Sequence, residues 1–294
     1  MTFTIEKLQG TKETTHRFSP LLPTHPAAVC FLGRVRSGKT TAVARLLGGR
    51  PFPFRQLYGN GKYVYLISPT AMLQKEVWVN IVGIPEENMY LHYDEKILGS
   101  ILKEAEQDNS EKKIPRLLIL DDCIQELNSS KKSNLLKYMI AGRHWSVSVF
   151  ILLQSWLSDL RTCLKEQYTH MYIWPQNHRS IKSIWECMAC DTSFKLFSKM
   201  AHAAWKKPYR PFGIDQTMAE HSGKYKLGFE TLCVVETDNV EEQRFGGSAP
   251  GSKVDAQHQF YEHSKVATSV VSPVEECVPG VGQRPGAEIA DKYG

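Results

Sequence analysis

The chain has 294 residues, of which 42% are hydrophobic and 23% are charged, and its formal net charge is +5. This ordinary globular composition excludes a collagen-like, coiled-coil or wholly disordered protein, and the length fits one large or two ordinary domains. No stretch reaches the roughly 18 apolar residues of a membrane span, and the first residues lack a secretory signal. We therefore expect a soluble intracellular protein whose seven cysteines are reduced.

Charge and composition change near the end of the chain. Residues 245–294 carry four Lys and Arg against six Asp and Glu, together with seven Gly and four Pro. Because such a segment buries little apolar surface, we expect residues 241–294 to form a disordered acidic tail. Residues 1–26 are predicted to be an irregular lead-in and residues 27–240 a single folded domain. The body left without the tail is basic, which suits a polyanionic partner but also many enzymes.

Between these ends, short apolar runs alternate with longer amphipathic runs. Their periodicity predicts strands over residues 27–32, 62–67, 89–91, 116–120, 147–153 and 169–174, and helices over residues 40–47, 71–79, 94–107 and 133–142. Strands rich in Val, Ile and Leu that alternate with helices are typical of a parallel sheet covered on both faces. The predicted fold class is therefore α/β.

The strongest chemical signal is Gly33-Arg-Val-Arg-Ser-Gly38-Lys39-Thr40, which matches the P-loop pattern G-x-x-x-x-G-K-[ST] between a predicted strand and a predicted helix. Its glycines let backbone N–H groups close around a phosphate at the positive end of the new helix. Lys39 is expected to reach the β- and γ-phosphates of ATP, Thr40 to bind Mg²⁺ and Thr41 to touch the α-phosphate. The residues that we expect to bind the nucleotide are Gly33, Arg36, Ser37, Gly38, Lys39, Thr40 and Thr41.

A second signal is the apolar run Leu117–Leu120, which is followed at once by Asp121 and Asp122. Ligands of parallel sheets bind at the carboxyl ends of the strands, where these two carboxylates are expected to lie. Asp121 is then a candidate Mg²⁺ ligand, and Asp122 is a candidate general base for the attacking water. An ordinary turn would look the same, but the P-loop upstream favours a Walker B motif.

A third signal surrounds the predicted strand 147–153. Arg143 precedes this strand and Gln154 follows it. Gln154 is a candidate sensor of the γ-phosphate, and Arg143 is a candidate for neutralising transition-state charge in a neighbouring subunit. A helix-end arginine and a strand-end glutamine without catalytic roles are the simpler alternative.

Together, the three motifs resemble the poxvirus-type genome-packaging ATPases, a viral branch of the FtsK–HerA superfamily of P-loop NTPases. The resemblance rests on Gly33–Thr40, on Asp121 and Asp122, and on Gly142-Arg143-His144 ahead of a strand that ends in Gln154. The stretch 160–174 is also similar to the segment that follows the sensor glutamine in that family. The resemblance covers about residues 26–236.

This resemblance implies a RecA-like or FtsK–HerA-like sheet that is mostly parallel and flanked by helices. It implies ATP and Mg²⁺ as ligands, a homo-oligomeric ring (hexamer or pentamer), and a motor that drives double-stranded DNA into a preformed capsid, with capsid or portal components as partners and no membrane. It places the protein inside the host cell at a viral assembly site, cytoplasmic or nuclear, with the virion as a further location. Arg143 would match the arginine finger, Arg161 being the other candidate, and Gln154 would match the sensor.

Two features depart from the usual superfamily pattern. The P-loop carries Arg34 and Arg36, where many superfamily members have small residues, and the second motif reads Asp-Asp where Asp-Glu is more common. The assignment of Asp122 as the general base therefore depends on its position alone.

Two further clusters allow more than one interpretation. Basic residues interleaved with aromatic ones are either a DNA-binding surface or a solvated face over the core. Cys187-Met-Ala-Cys190 is either half of a zinc site or a pair of packed cysteines, since no second ligand pair follows it. The candidate DNA-binding residues are Lys195, Lys199, Lys206 and Lys207.

Three other functions remain as alternatives to the motor. A P-loop kinase for nucleotides or nucleosides would hydrolyse ATP only with an acceptor present. A nucleotide-regulated DNA-binding assembly protein would need no hydrolysis. A GTPase switch is disfavoured, because the chain lacks the Asn-Lys-x-Asp motif that reads guanine.

Overall fold

One mixed sheet forms the centre of the protein. The computed structural model describes residues 15–49, 54–108, 113–123, 133–156, 162–219, 222–235 and 266–267. In these ranges ten strands hydrogen-bond in the order β10-β9-β8-β7-β6-β1-β5-β4-β2-β3. The strands are β1 (Ala28–Leu32), β2 (Val64–Ile67), β3 (Met89–Tyr90), β4 (Arg116–Asp121), β5 (Val147–Leu153), β6 (His170–Ile173), β7 (Phe212–Asp215), β8 (Tyr225–Leu227), β9 (Thr231–Val235) and β10 (Val266–Ala267).

The sheet has a parallel part and an antiparallel part. The strands β3, β2, β4, β5, β1 and β6 pair in parallel, whereas β6 through β10 pair antiparallel. The predicted mostly parallel α/β fold is confirmed, while the antiparallel extension beyond β6 was not predicted. The P-loop strand β1 lies between β5 and β6, so it is covered by strands on both sides.

Helices cover both faces of the sheet. They are α1 (Lys39–Gly48), α2 (Phe54–Leu57), α3 (Glu95–Glu106), α4 (Ser133–Ala141), α5 (Thr162–Lys165), α6 (His178–Met188) and α7 (Phe194–Trp205). On one face, α1, α2 and a π-helical segment, Glu76–Val82, share a core with Val29 and Phe31 of β1. On the other face, α3, α4, α6 and α7 share a core with Cys30 and Leu32. Alternate side chains of one strand therefore enter two separate cores.

The prediction of an α-helix over residues 71–79 is wrong. The chain forms a short 3₁₀ segment, Ala71–Gln74, and then the π-helical segment, which ends at Gly83 with φ of +87°. The segment holds three β-branched valines, which have a low helix propensity, and it buries Trp78. Burial of this indole therefore overrides the regular helical period.

The end of the lead-in is anchored in the core. His25 is fully buried, and its ring contacts the hydroxyls of Tyr58 (3.0 Å), Ser148 (2.7 Å) and Ser146 (3.0 Å). Burial, with a smaller contribution from the charge of His16, lowers the pKa of His25 to about 3. The ring is therefore neutral in the folded protein at neutral pH.

We expect His25 to make folding stability depend on pH. Its pKa is about 3 when folded and 6.5 when unfolded, so its contribution is complete above pH 6.5 and is lost as the pH falls towards 3. Between pH 7.5 and 5.5 this one group should cost about 1.4 kcal/mol of unfolding free energy, because the unfolded chain binds the proton. Urea unfolding of wild type and His25→Gln at both pH values measures the difference. The exposed His202→Gln control should keep the wild-type pH dependence, and an equal dependence in His25→Gln would contradict the assignment.

Some of the predicted segments lie outside the described residues. This holds for residues 1–14 of the lead-in and for the predicted tail, apart from Val266–Ala267, which pair with β9. The boundaries 1–26, 27–240 and 241–294 remain predictions. In the part of the chain that is described, no helix is long and apolar enough to cross a membrane.

Candidate functional site

Most of the residues in the three predicted motifs meet at one edge of the sheet, and Arg143 is the exception. β1, β4 and β5 are parallel neighbours, with Leu32 beside Leu153 and Asp121 beside Leu152. Their carboxyl ends therefore bring the P-loop, the two aspartates and Gln154 to the same edge, which we call the carboxyl edge.

The P-loop turns tightly against its surroundings. A Cβ at Gly33 would lie 2.5 Å from Ser37 Oγ and 2.9 Å from Trp174 Cβ, so a side chain there would displace the loop. Gly38 has φ of +98° and is the N-cap residue of α1. Arg36 also has a positive φ, +63°, although it is not a glycine. Arg34, Arg36 and the helix residue Thr41 are exposed to solvent.

Lys39 is folded back over the loop. Its Nζ donates hydrogen bonds to the carbonyls of Gly33 (2.6 Å) and Arg34 (3.1 Å). Burial lowers the pKa of Lys39, while Asp121 and Asp122 raise it. The ammonium is thus held over the loop by carbonyls that a phosphate would replace.

Ser37 provides an independent test of whether the loop fits a phosphate. Its Oγ is buried and, among the residues that the structure describes, has no hydrogen-bond partner. A buried hydroxyl without a partner is costly, and a phosphate oxygen at the N-terminus of α1 would satisfy it. The loop residues therefore fit a phosphate ligand.

Asp121 lies directly beside the start of α1. Thr40 Oγ1 donates to Asp121 Oδ2 over 3.4 Å, and Asp121 is 6% exposed. Burial raises the pKa of Asp121 to about 6, with Asp122 adding to the increase and Lys39 opposing it. A divalent cation would compensate the negative charge of this buried carboxylate, and the Thr40 hydroxyl and Asp121 carboxylate oxygens are ligands that Mg²⁺ accepts.

Asp122 and Gln154 are in direct contact. Gln154 Nε2 donates to Asp122 Oδ1 over 2.5 Å. Asp122 is exposed and has φ of +57°, a conformation that aspartate tolerates better than most residues. The turn thus points Asp121 into the protein and Asp122 towards solvent, where an attacking water would arrive.

Arg143 lies far from its own P-loop. It belongs to the 3₁₀ segment Gly142–Trp145, which precedes β5, whereas Gln154 follows the same strand. A strand of seven residues separates the two by roughly 20 Å. The exposed Arg143 therefore lies at the amino ends of the strands, opposite the carboxyl edge, and it cannot reach a nucleotide on the P-loop of its own chain.

The four lysines predicted to bind DNA are all exposed. Lys195 and Lys199 lie on α7, and Lys206 and Lys207 follow directly after it. Cys187 and Cys190 are exposed too, and the described ranges contain no group of three or more His, Cys, Asp or Glu that could hold a metal ion. The zinc interpretation therefore gains no further ligand from these ranges.

Two aromatic residues at the carboxyl edge were not predicted as part of the site. Trp174 follows β6 and packs against Gly33, and Tyr209 packs against Gly38. Trp174 stands at the end of a strand beside β1, which was the available signal for it. Tyr209 belongs to the basic and aromatic cluster around Lys206 and Lys207, and no signal in the sequence linked it to the P-loop.

Known proteins resemble this chain in sequence or in structure. The family described as "Poxvirus A32 protein" matches residues 16–210. The genome packaging NTPase B204 from Sulfolobus turreted icosahedral virus 2, in complex with AMP, is 12% identical, with 68% of this chain and 95% of that chain covered and a TM-score of 0.46. B204 from Sulfolobus Turreted Icosahedral Virus, described as a DNA-packaging ATPase, is 15% identical, with 65% and 94% covered and a TM-score of 0.45.

A third solved structure is EssC (ATPases 2 and 3) from Geobacillus thermodenitrificans, which is 14% identical, with 64% of this chain and 37% of that chain covered and a TM-score of 0.45. The chain matches none of the curated proteins. The family match confirms the family predicted from the three motifs.

Proposed function

The chain belongs to the family of the poxvirus A32 protein, and from this premise we propose that it is an ATP-hydrolysing motor that moves double-stranded DNA into a preformed viral capsid. The observation that carries the proposal is the meeting of the P-loop, the buried Asp121 and the Asp122–Gln154 pair at one sheet edge. A nucleotide-binding assembly protein would not need an oriented carboxylate beside the phosphates.

In this proposal the protein residues divide the work of hydrolysis. The P-loop N–H groups and Lys39 hold the phosphates and stabilise the charge that develops on them. Asp122 accepts a proton from the water that attacks the γ-phosphorus in line, and the ADP β-phosphate oxygen leaves. Gln154 fixes the orientation of Asp122, so that the carboxylate is aligned before the γ-phosphate arrives.

We assign the Mg²⁺ of the reaction to Thr40 and Asp121. When bound, Mg²⁺ would neutralise charge on the phosphate oxygens. The contact between Thr40 and Asp121 supports this assignment, because the Thr40 hydroxyl and an Asp121 carboxylate oxygen lie close enough to bind one cation. Burial raises the pKa of Asp121, and a bound cation would lower that pKa again because it favours the charged carboxylate.

The partners of the proposed motor are duplex DNA, further copies of this chain and a component of the capsid or portal. The position of Arg143 is compatible with a ring of six or five subunits, because an arginine so far from its own P-loop would have to act on a neighbour's nucleotide if it acts as a finger. Packaging would take place at the viral assembly site inside the host cell.

Measurement of ATP turnover by the purified full chain, with and without duplex DNA and at several salt concentrations, tests this function. We expect turnover that duplex DNA stimulates, that salt weakens and that Lys39→Ala abolishes. Turnover indifferent to DNA would contradict the motor. A requirement for a small phosphate acceptor would point to a kinase, and ATP binding without turnover would point to an assembly protein.

The exposed lysines after α7 give a prediction about DNA binding. If Lys206 and Lys207 neutralise phosphates, replacing both with Ala should reduce the slope of log Kd against log salt by about two, because about one counterion is released per contact. Fluorescence anisotropy of a labelled duplex between about 50 and 200 mM salt measures the slope. The matched control replaces Lys96 and Lys103, exposed on α3, and should leave the slope unchanged. An unchanged slope in the Lys206/Lys207 variant would place DNA elsewhere.

A further inference from the structure

The residues proposed to act in hydrolysis are not spread evenly around the P-loop strand. Asp121, Asp122 and Gln154 all lie on the side of β1 that is occupied by β5 and β4. The γ-phosphate must point to that side, because hydrolysis takes place there. The nucleoside end of ATP therefore leaves the P-loop towards the other side, where β6 and β7 meet.

Tyr209 lies where the nucleoside would leave the loop. An ideal Cβ on Gly38 would stand 3.5 Å from Tyr209 Cδ1, so the ring borders the end of the P-loop. Despite its size, Tyr209 is 74% exposed. An aromatic ring that is open to solvent next to a phosphate loop has a free face for a flat ligand.

The backbone of Tyr209 is tied to the P-loop strand. Trp174 Nε1 donates to the Tyr209 carbonyl over 2.9 Å, and the Trp174 amide donates to the carbonyl of Leu32 over 2.8 Å. Trp174 itself is 1% exposed. Tyr209 also has φ of +59°, in the left-handed region that a tyrosine seldom adopts. Trp174 therefore anchors the Tyr209 backbone to the end of β1, while the Tyr209 ring lies at the surface.

We propose that the Tyr209 ring is the platform on which the purine base of the bound nucleotide stacks, and that Trp174 is the residue that positions it. This inference rests on the proposed ATPase function. Stacking uses the flat face that every base has, so the platform adds affinity for a base without distinguishing adenine from guanine through hydrogen bonds. The phosphates are held by the P-loop, and the base is held by Tyr209.

Comparing ATP with inorganic tripolyphosphate, which has the same three phosphates but no base, tests the platform. Calorimetry of the full chain with Mg²⁺ gives a Kd for each ligand. Tyr209→Ala should weaken ATP by about tenfold and leave tripolyphosphate unchanged, because loss of base–aromatic stacking affects the base alone. Tyr209→Phe should bind both ligands like wild type. Tyr63→Ala, which removes a half-buried tyrosine before β2, is the matched control and should change neither Kd.

Each other outcome is decisive. An unchanged ATP Kd in Tyr209→Ala would overturn the platform, as would an equal weakening of both ligands, which would mean that Tyr209 only shapes the loop. A loss of duplex DNA affinity with ATP binding intact would assign the ring to DNA instead. Wild-type protein that binds neither ligand would overturn the ATPase function itself, and the platform with it.

Discussion

Replacing Asp122 with Asn is expected to slow ATP hydrolysis by a factor of about 10² to 10⁴ while leaving the affinity for ATP unchanged. The two side chains have the same shape, and the Asn oxygen can still accept the hydrogen bond from Gln154 Nε2. Only the ability to take a proton from water is lost. Single-turnover hydrolysis gives the rate, and calorimetry gives the ATP affinity.

Two further variants separate the roles of the aspartates. Asp121→Asn should raise the Mg²⁺ concentration needed for half-maximal turnover, because it removes a buried carboxylate beside Thr40 from the proposed metal site. Gln154→Ala should lower the rate less than Asp122→Asn does, since the carboxylate remains but is no longer oriented. A fast Asp122→Asn enzyme together with an inactive Asp121→Asn enzyme that still binds Mg²⁺ would move the general base to Asp121.

Much of the site could be predicted because its signals are local. The P-loop is one continuous motif, and the strands that carry Asp121 and Gln154 are recognisable from their apolar runs. Parallel strands bring their carboxyl ends to the same edge, so pattern and topology together placed these groups side by side. The contact between Gln154 and Asp122 required the structure, because it depends on the left-handed turn at Asp122.

The features that escaped prediction depend on tertiary packing. Tyr209 reaches the P-loop only because β7 runs antiparallel beside β6, and no local pattern encodes that pairing. The buried ring of His25 is held by hydroxyls that lie on other segments of the chain. The π-helical segment buries Trp78 and packs against α1, where Gly48 leaves room for the Ile81 carbonyl. In each case residues distant in sequence decide the local structure.

Arg143 gives the largest expected effect. Arg143→Ala should reduce the turnover number by about 10³- to 10⁵-fold, the range by which an arginine supplied from a neighbour accelerates phosphoryl transfer. Its position across the sheet from its own P-loop means that the loss occurs in the neighbour's site. His144→Ala, which changes the next exposed residue of the same turn, is the control and should stay active.

A mixing experiment separates an arginine that acts on a neighbour from one that merely supports the fold. Arg143→Ala subunits keep an intact P-loop, and Lys39→Ala subunits keep an intact arginine, so neither hydrolyses ATP alone. An equal mixture should recover roughly a quarter of wild-type turnover, because random placement around a closed ring joins the intact halves at one interface in four. No recovery would refute action between subunits. Recovery by Arg161→Ala subunits but not by Arg143→Ala subunits would move the role to Arg161, which lies outside the described residues.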